Sequence, residues 1–94
     1  MKKPPLTEHL VMTKGVAATI EEDSLFATDI ANALTRYHGF DWGDTHPDDK
    51  AMNDHAVECG NERILAKYKT CRGEIFINTE ADRSVTTAMF THEY

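Results

Sequence analysis

Asp41-Trp42-Gly43-Asp44, here called the DWGD motif, contains the only tryptophan of the 94-residue chain and lies between two segments with helical spacing. The indole ring favours burial, whereas the flanking carboxylates favour water or a polar partner. We therefore predict a loop whose tryptophan fills the core and whose aspartates accept backbone N–H groups in turns. The alternative is an exposed Trp42 that anchors the protein in a partner's pocket, a role in which tryptophan is common.

The segments on both sides of the DWGD motif have the apolar spacing of helices. Before it, one continuous stripe predicts a helix: Phe26, Ile30, Ala33, Leu34 and Tyr37. Asp23-Ser24 is the predicted start of this helix, where a carboxylate or a hydroxyl can accept from the first N–H groups, and Gly39 is its predicted left-handed C-terminal residue. After the motif, Thr45 is the predicted N-cap of a helix that Gly60 ends. The apolar face predicted for that helix consists of Ala51, Met52, His55, Ala56 and Cys59. A shorter helix is predicted over residues 14–22.

From residue 64 onward, the apolar residues alternate with a period of two, which is typical of strands. Runs at 64–69, 74–78 and 84–90, separated by short turns, predict a three-stranded antiparallel meander. The apolar run at 9–13 allows for an added N-terminal strand. Three short N-terminal helices that pack on one face of this sheet would form a single α+β domain over residues 9–94. Residues 1–8, with two lysines and two prolines, are predicted to be a flexible arm.

The net charge of −6 is concentrated in one segment of the chain. Residues 41–58 have a balance of −5, whereas residues 1–40 have −1 and residues 59–94 are neutral. The acidic residues of the middle segment are Asp41, Asp44, Asp48, Asp49, Asp54 and Glu58. Such a field repels nucleic acid and attracts cationic surfaces. The simpler interpretation is a solvated helix face.

Composition also limits the cellular setting that we expect. The chain has no run of about 18 apolar residues, and no apolar stretch follows its first lysines, so we expect neither a membrane span nor a signal peptide. Cys59 and Cys71 are too few for a disulfide framework and lack the spacing of a zinc site. We interpret them as free thiols of a cytoplasmic protein.

Three further groups of residues allow both a structural and a functional interpretation. Asp82 is expected to close a hairpin turn and Arg83 to pair with Asp41 or Asp44, although the same cluster could be a recognition surface. His55 and Cys59, one helical turn apart, are expected to be a packed histidine beside a buried thiol. Positive charges along the first strand of the meander are expected to discourage strand pairing at its edge: Arg63, Lys67, Lys69 and Arg72.

Four motifs of this chain resemble a family of small proteins from bacterial plasmids, prophages and conjugative elements, sometimes labelled as a type I restriction endonuclease subunit M. The resemblance covers roughly residues 9–94. It rests on the DWGD motif, Asn53-Asp54, the segment 79–87 (TEADRSVTT) and Glu93-Tyr94. The chain has no glycine-rich loop after a strand that could hold a methyl donor, so the subunit label implies no methyltransferase activity here. The resemblance implies a mobile-element setting, in which small proteins often block host nuclease defences.

These observations lead to three hypotheses. The first is a non-enzymatic, cofactor-free protein of a mobile element that binds a host protein, such as a restriction or CRISPR nuclease, without touching nucleic acid or membrane. Its predicted partner-binding residues are Asp41, Trp42, Asp44, Asp48, Asp49, Asp54, Glu58, Asp82 and Arg83. The second is a small metal-dependent enzyme or sensor that uses His38, Asp41, Asp44 and His46. The third is a structural or regulatory accessory protein whose motifs serve the fold alone.

Overall fold

The computed structural model describes residues 4–94, which form an α+β fold of three helices, a four-stranded sheet and a short 3-10 turn. The helices are α1 (Lys14–Glu22), α2 (Ser24–His38) and α3 (Pro47–Cys59). The strands are β1 (Leu10–Met12), β2 (Ile64–Thr70), β3 (Gly73–Thr79) and β4 (Thr86–Phe90), and the 3-10 turn spans Thr91–Glu93.

The sheet is mixed, with the strand order β1-β4-β3-β2. Strands β2, β3 and β4 pair in antiparallel fashion, while β1 pairs in parallel with β4. The predicted α+β class and its three helices are confirmed. The parallel pair was not predicted, because it joins residues more than 70 positions apart, Leu10 with Thr86, and no local pattern reports such a contact.

The core lies between one face of the sheet and the helices. Alternation along the strands directs Ile64, Tyr68 and Ile77 towards the helices, and all three are buried. The apolar stripe of α2 meets them, with Phe26 and Tyr37 fully buried. The two sequence periods, two along the strands and 3.6 along α2, therefore define facing surfaces of one core.

The helix ends confirm some of the predicted caps and correct others. Asp23 caps α2 by accepting from the N–H groups of its first turn, and Gly60 ends α3 with a left-handed φ of 75°. Gly39 is not left-handed (φ −92°); Phe40, the next residue, has a φ of 68°. The backbone strain of left-handed Phe40 is offset by packing, because its ring lies edge-on against Trp42 with the ring centroids 6.3 Å apart.

The segment before β1 is held against the sheet rather than extending from it as a free arm. Pro5 is buried, and its carbonyl accepts from the Thr79 hydroxyl at 3.0 Å. The N–H of Thr7 donates to the Thr86 hydroxyl at 3.1 Å. The flexible arm predicted for residues 1–8 is therefore corrected over residues 4–8, and residues 1–3 lie outside the described part of the chain.

Candidate functional site

Trp42 belongs to the core and not to a contact surface. Its side chain is 4% exposed and packs edge-on against the Tyr37 ring at 5.6 Å. The indole Nε1 donates to Oδ1 of Asp54 in α3 at 2.8 Å. The prediction of a buried ring is confirmed, and the alternative of an exposed Trp42 anchor is wrong. The one polar group of the indole is satisfied by a carboxylate that stays exposed.

Asp41 is neutralised within the chain. Its carboxylate accepts from Nε and Nη2 of Arg36 at 2.9 and 3.3 Å, and from the N–H of Gly43 at 3.0 Å. The Arg36 guanidinium is the main cause that lowers the pKa of Asp41. The predicted pairing of Asp41 with Arg83 is wrong. Arg36, five residues before Asp41 at the end of α2, forms the ion pair with this carboxylate instead.

The second half of the DWGD motif closes one edge of the sheet. Gly43 has a φ of 65°, and a Cβ there would lie 2.7 Å from the carbonyl oxygen of Lys67. The N–H of Asp44 donates to the Lys67 carbonyl at 2.8 Å, and the Thr45 hydroxyl accepts from the Lys67 N–H at 2.9 Å. Thr45 is thus a buried partner of β2, and His46 replaces it as the side-chain cap of α3.

Asn53 continues this closure from α3. Its side-chain amide donates to the Leu65 carbonyl at 2.9 Å and accepts from the Leu65 N–H at 3.3 Å. The side chain thus occupies the place that a neighbouring strand would take beside β2. These contacts protect the edge of β2 at Leu65 and Lys67, and the predicted effect of the positive charges along the strand stays a prediction.

Arg83 fastens the β3–β4 turn to the end of α3. Its guanidinium donates to the carbonyls of Glu62 at 2.6 Å and of Ala56 at 3.0 Å, from a backbone with a φ of 62°. Asp82 closes the turn, as predicted, by accepting from the N–H of Ser84 at 2.9 Å, and the pKa of Asp82 is lowered first by a hydrogen bond from the Ser84 side chain and then by this N–H. Arg83 therefore serves the fold, and its predicted pairing with Asp41 or Asp44 is wrong.

Helix α3 presents its acidic residues to solvent while it contributes little apolar surface to the core. The residues that it buries are Asn53 and Ala56, and Met52 is 63% exposed. The predicted apolar face with Met52, His55 and Cys59 is corrected, because the polar contacts of Asn53 set which side of the helix meets β2. His55 and Cys59 are both exposed, with Nε2 and Sγ 3.2 Å apart.

The remaining carboxylates of the middle segment form what we call the α3 acidic surface. Its members are all exposed: Asp44, Asp48, Asp49, Asp54 and Glu58. Asp54 and Glu58 lie one turn apart on the same stripe, while Asp48 lies about 120° around the helix from Asp54. Asp48 and the Asp54–Glu58 stripe therefore lie on the outward part of α3, whereas Asp49, one turn before Asn53, is exposed at the side of the helix next to β2. The Asp48 side chain is 91% exposed, 3.9 Å from the ring of His46.

The proposed metal ligands are not brought together. Across residues 4–94, no three side chains of His, Cys, Asp or Glu lie close enough to hold a metal ion. Asp41 is occupied by Arg36, and Nδ1 of His46 accepts from the Asp48 N–H at 3.1 Å. The structure therefore gives no support to a site made of His38, Asp41, Asp44 and His46.

Comparisons with protein-family models, with curated proteins and with solved structures give no match for this chain. The resemblance to mobile-element proteins therefore stays a prediction. In the described residues, no helix is both long and apolar enough to cross a membrane.

Proposed function

We propose that this chain is a non-enzymatic binding protein that presents the α3 acidic surface to a cationic face of another protein. The observation that carries the proposal is the exposure of Asp44, Asp48 and Asp49 at the start of a helix that hardly enters the core. Charged side chains with no role in packing are free to meet a partner of opposite charge.

Charge density supports this choice over other surfaces of the molecule. The α3 acidic surface holds five carboxylates, and the stretch from Asp44 to Glu58 contains one cation, Lys50. Elsewhere the acids are more evenly matched: Arg72 contacts Asp23 at 2.7 Å and Glu22 at 3.8 Å. The field outside α3 would accelerate encounter with a positively charged partner and weaken as salt is added.

Met52 supports a protein partner rather than a small ion. It is 63% exposed and lies on α3 one turn after the acidic residues Asp48 and Asp49. Methionine is enriched at protein–protein interfaces, where an apolar centre is surrounded by a polar rim. An exposed methionine with acids around it would suit a cationic face that also has an apolar pocket.

The resemblance to mobile-element proteins suggests which cationic proteins to examine. Restriction and CRISPR nucleases hold nucleic acid in positively charged channels, and an acidic helix placed at such a channel would obstruct it. Inhibition by obstruction needs no catalytic group. We therefore propose a host nuclease-defence complex as the partner class.

Charge-matched variants test the proposal in bacterial strains that each carry one active restriction or CRISPR system. The protein is expressed, a targeted phage is added, and the plating efficiency is measured. Asp48→Asn/Asp49→Asn removes two charges from α3, and the control Glu21→Gln/Glu22→Gln removes two charges from the end of α1. We expect the original protein to restore plating in at least one strain. The Asp48→Asn/Asp49→Asn variant should lose this effect, and the Glu21→Gln/Glu22→Gln control should keep it.

The purified nuclease from a responding strain then provides the binding measurement. The α3 pair should weaken its binding by at least roughly tenfold, while the α1 pair stays close to the original affinity. Protection in no strain, despite folded protein in the cells, would overturn the nuclease assignment. Equal losses for both charge pairs would overturn the α3 acidic surface and favour the accessory protein of the third hypothesis.

A further inference from the structure

The two edge strands of the sheet, β2 and β1, differ in whether side chains and loops bond their outward backbone groups. At the β2 edge, Asn53, Thr45 and Asp44 bond the outward N–H and C=O groups of both Leu65 and Lys67. At the other end of the sheet, β1 has β4 as its neighbour on one side and is the edge strand on the other. An unprotected edge strand is a template for another strand.

The hydrogen bonds of β1 show which of its groups face outward. The backbone N–H of Thr86 donates to the carbonyl of His9, and the backbone N–H of Thr13 donates to the carbonyl of Ala88. Backbone groups alternate sides along a strand, so Leu10 and Met12 direct their N–H and C=O groups away from β4. The outward backbone groups thus belong to Leu10 and Met12, the residues on either side of Val11.

This spacing is self-complementary. When two β1 strands run antiparallel with Val11 opposite Val11, Leu10 of each copy lies opposite Met12 of the other. Both residues have outward N–H and C=O groups, so each such pair exchanges two hydrogen bonds. The flanks of the strand then match in charge, because Glu8, before β1 in one copy, comes close to Lys14, at the start of α1 in the other. A shift of one residue would lose these hydrogen bonds.

We propose that two copies of this chain associate through their β1 strands in this register, forming a continuous eight-stranded sheet around a twofold axis at Val11. Val11 is 47% exposed and Leu10 is 36% exposed, so pairing would cover apolar surface on both faces of the strand. The same patch meets itself across the axis, as closed dimers require. This association uses the opposite edge of the sheet from α3 and is independent of the proposed function.

Leu10→Pro is the first test, with mass measured by sedimentation equilibrium over a range of protein concentrations. Proline at this position removes an N–H that β1 does not use within its own sheet, so the monomer should fold while the dimer loses two symmetric hydrogen bonds. We expect the original chain to reach twice the monomer mass as concentration rises, and Leu10→Pro to remain monomeric with an unchanged circular dichroism spectrum.

Charge exchange is the second test and does not alter the backbone. Glu8→Lys and Lys14→Glu, made separately, each place like charges opposite one another and should weaken self-association about three- to tenfold. The double variant Glu8→Lys/Lys14→Glu should recover the original association. An equimolar mixture of the two single variants should also associate, because each now complements the other.

Three results would overturn the proposal. The first is an original chain that stays monomeric at all concentrations, as it would if the edge of β1 served only an extended peptide of a different protein. The second is a dimer that Leu10→Pro leaves intact. The third is a double charge variant that is no tighter than the single variants. If Leu10→Pro does not fold, the charge variants decide alone.

Discussion

At the scale of single residues, Trp42 and Asp54 carry the connection between the core and α3. The indole is buried against Tyr37, while its Nε1 reaches a carboxylate that also belongs to the α3 acidic surface. Asp54 is thus held in place by the core and is the member of that surface least suited to substitution in a binding test. This is why the charge-matched variants use Asp48 and Asp49.

Trp42→Phe should lower the free energy of unfolding by about 2–4 kcal/mol, because it removes the hydrogen bond to Asp54 and leaves a cavity beside Tyr37. Asp54→Asn keeps an acceptor oxygen for Nε1 and should cost less than about 1 kcal/mol. Urea unfolding followed by circular dichroism measures both. In a double-mutant cycle, Trp42→Phe combined with Asp54→Ala should cost less than the sum of the single changes, and strict additivity would contradict the contact.

Residue chemistry explains which single-residue predictions succeeded. A large ring between two aspartates predicts burial with flanking turns, and Trp42 and Asp41 follow that prediction. The partners could not be predicted, since sequence does not report which side chains the fold brings close. Arg83 is an example: as a free cation it favours a carboxylate, but the turn directs it to the carbonyls of Ala56 and Glu62.

At the scale of elements, α3 is attached to the sheet by polar contacts rather than by an apolar stripe. Asn53 bonds Leu65, Asp54 accepts from Trp42, and Arg83 holds the carbonyl of Ala56 near the helix end. Apolar periodicity therefore predicted the buried face of α2 correctly but predicted the wrong buried face for α3. The length of α3 was nevertheless predictable from Pro47 at its start and left-handed Gly60 at its end.

The same contacts give the family-like motifs a structural explanation. The DWGD motif, Asn53-Asp54 and Arg83 all converge on the junction of α3 with β2 and the β3–β4 turn. Glu93 makes a further contact of this kind, because its carboxylate accepts from the Thr13 hydroxyl at 2.7 Å at the start of α1. These motif residues therefore have roles in assembling the fold.

Asn53→Ala should open the edge of β2. Two hydrogen bonds to Leu65 are lost, so the free energy of unfolding should fall by about 1–3 kcal/mol. Native-state hydrogen exchange of the Leu65 amide should accelerate more than that of amides bonded between β3 and β4. Asn32→Ala, at an exposed position of α2, is the matched control and should change stability by less than about 0.5 kcal/mol. Unchanged protection of Leu65 would show that Asn53 does not close this edge.

At the scale of the whole molecule, a chain of buried hydroxyl groups joins the N-terminal segment, α2 and the sheet. The Tyr37 hydroxyl lies 2.6 Å from that of Thr79, which lies 3.0 Å from that of Thr86. Burial is the main cause that raises the pKa of Tyr37. Pro5 and Thr7 complete the chain through their bonds to Thr79 and Thr86. Sequence could not predict this, because two prolines and two lysines near a terminus are typical of a loose arm.

Deletion of residues 1–8 tests whether the fold depends on this segment. The deletion uncovers Thr79 and Thr86 and removes the buried Pro5, so we expect the free energy of unfolding to fall by at least about 2 kcal/mol. Thr7→Ala, which removes only one hydroxyl, should cost about 0.5–1.5 kcal/mol. Urea unfolding at low protein concentration measures the loss in the monomer, where association through β1 does not contribute. An unchanged unfolding midpoint after the deletion would mean that the helices and the sheet hold these hydroxyl groups without help, as the flexible-arm prediction requires.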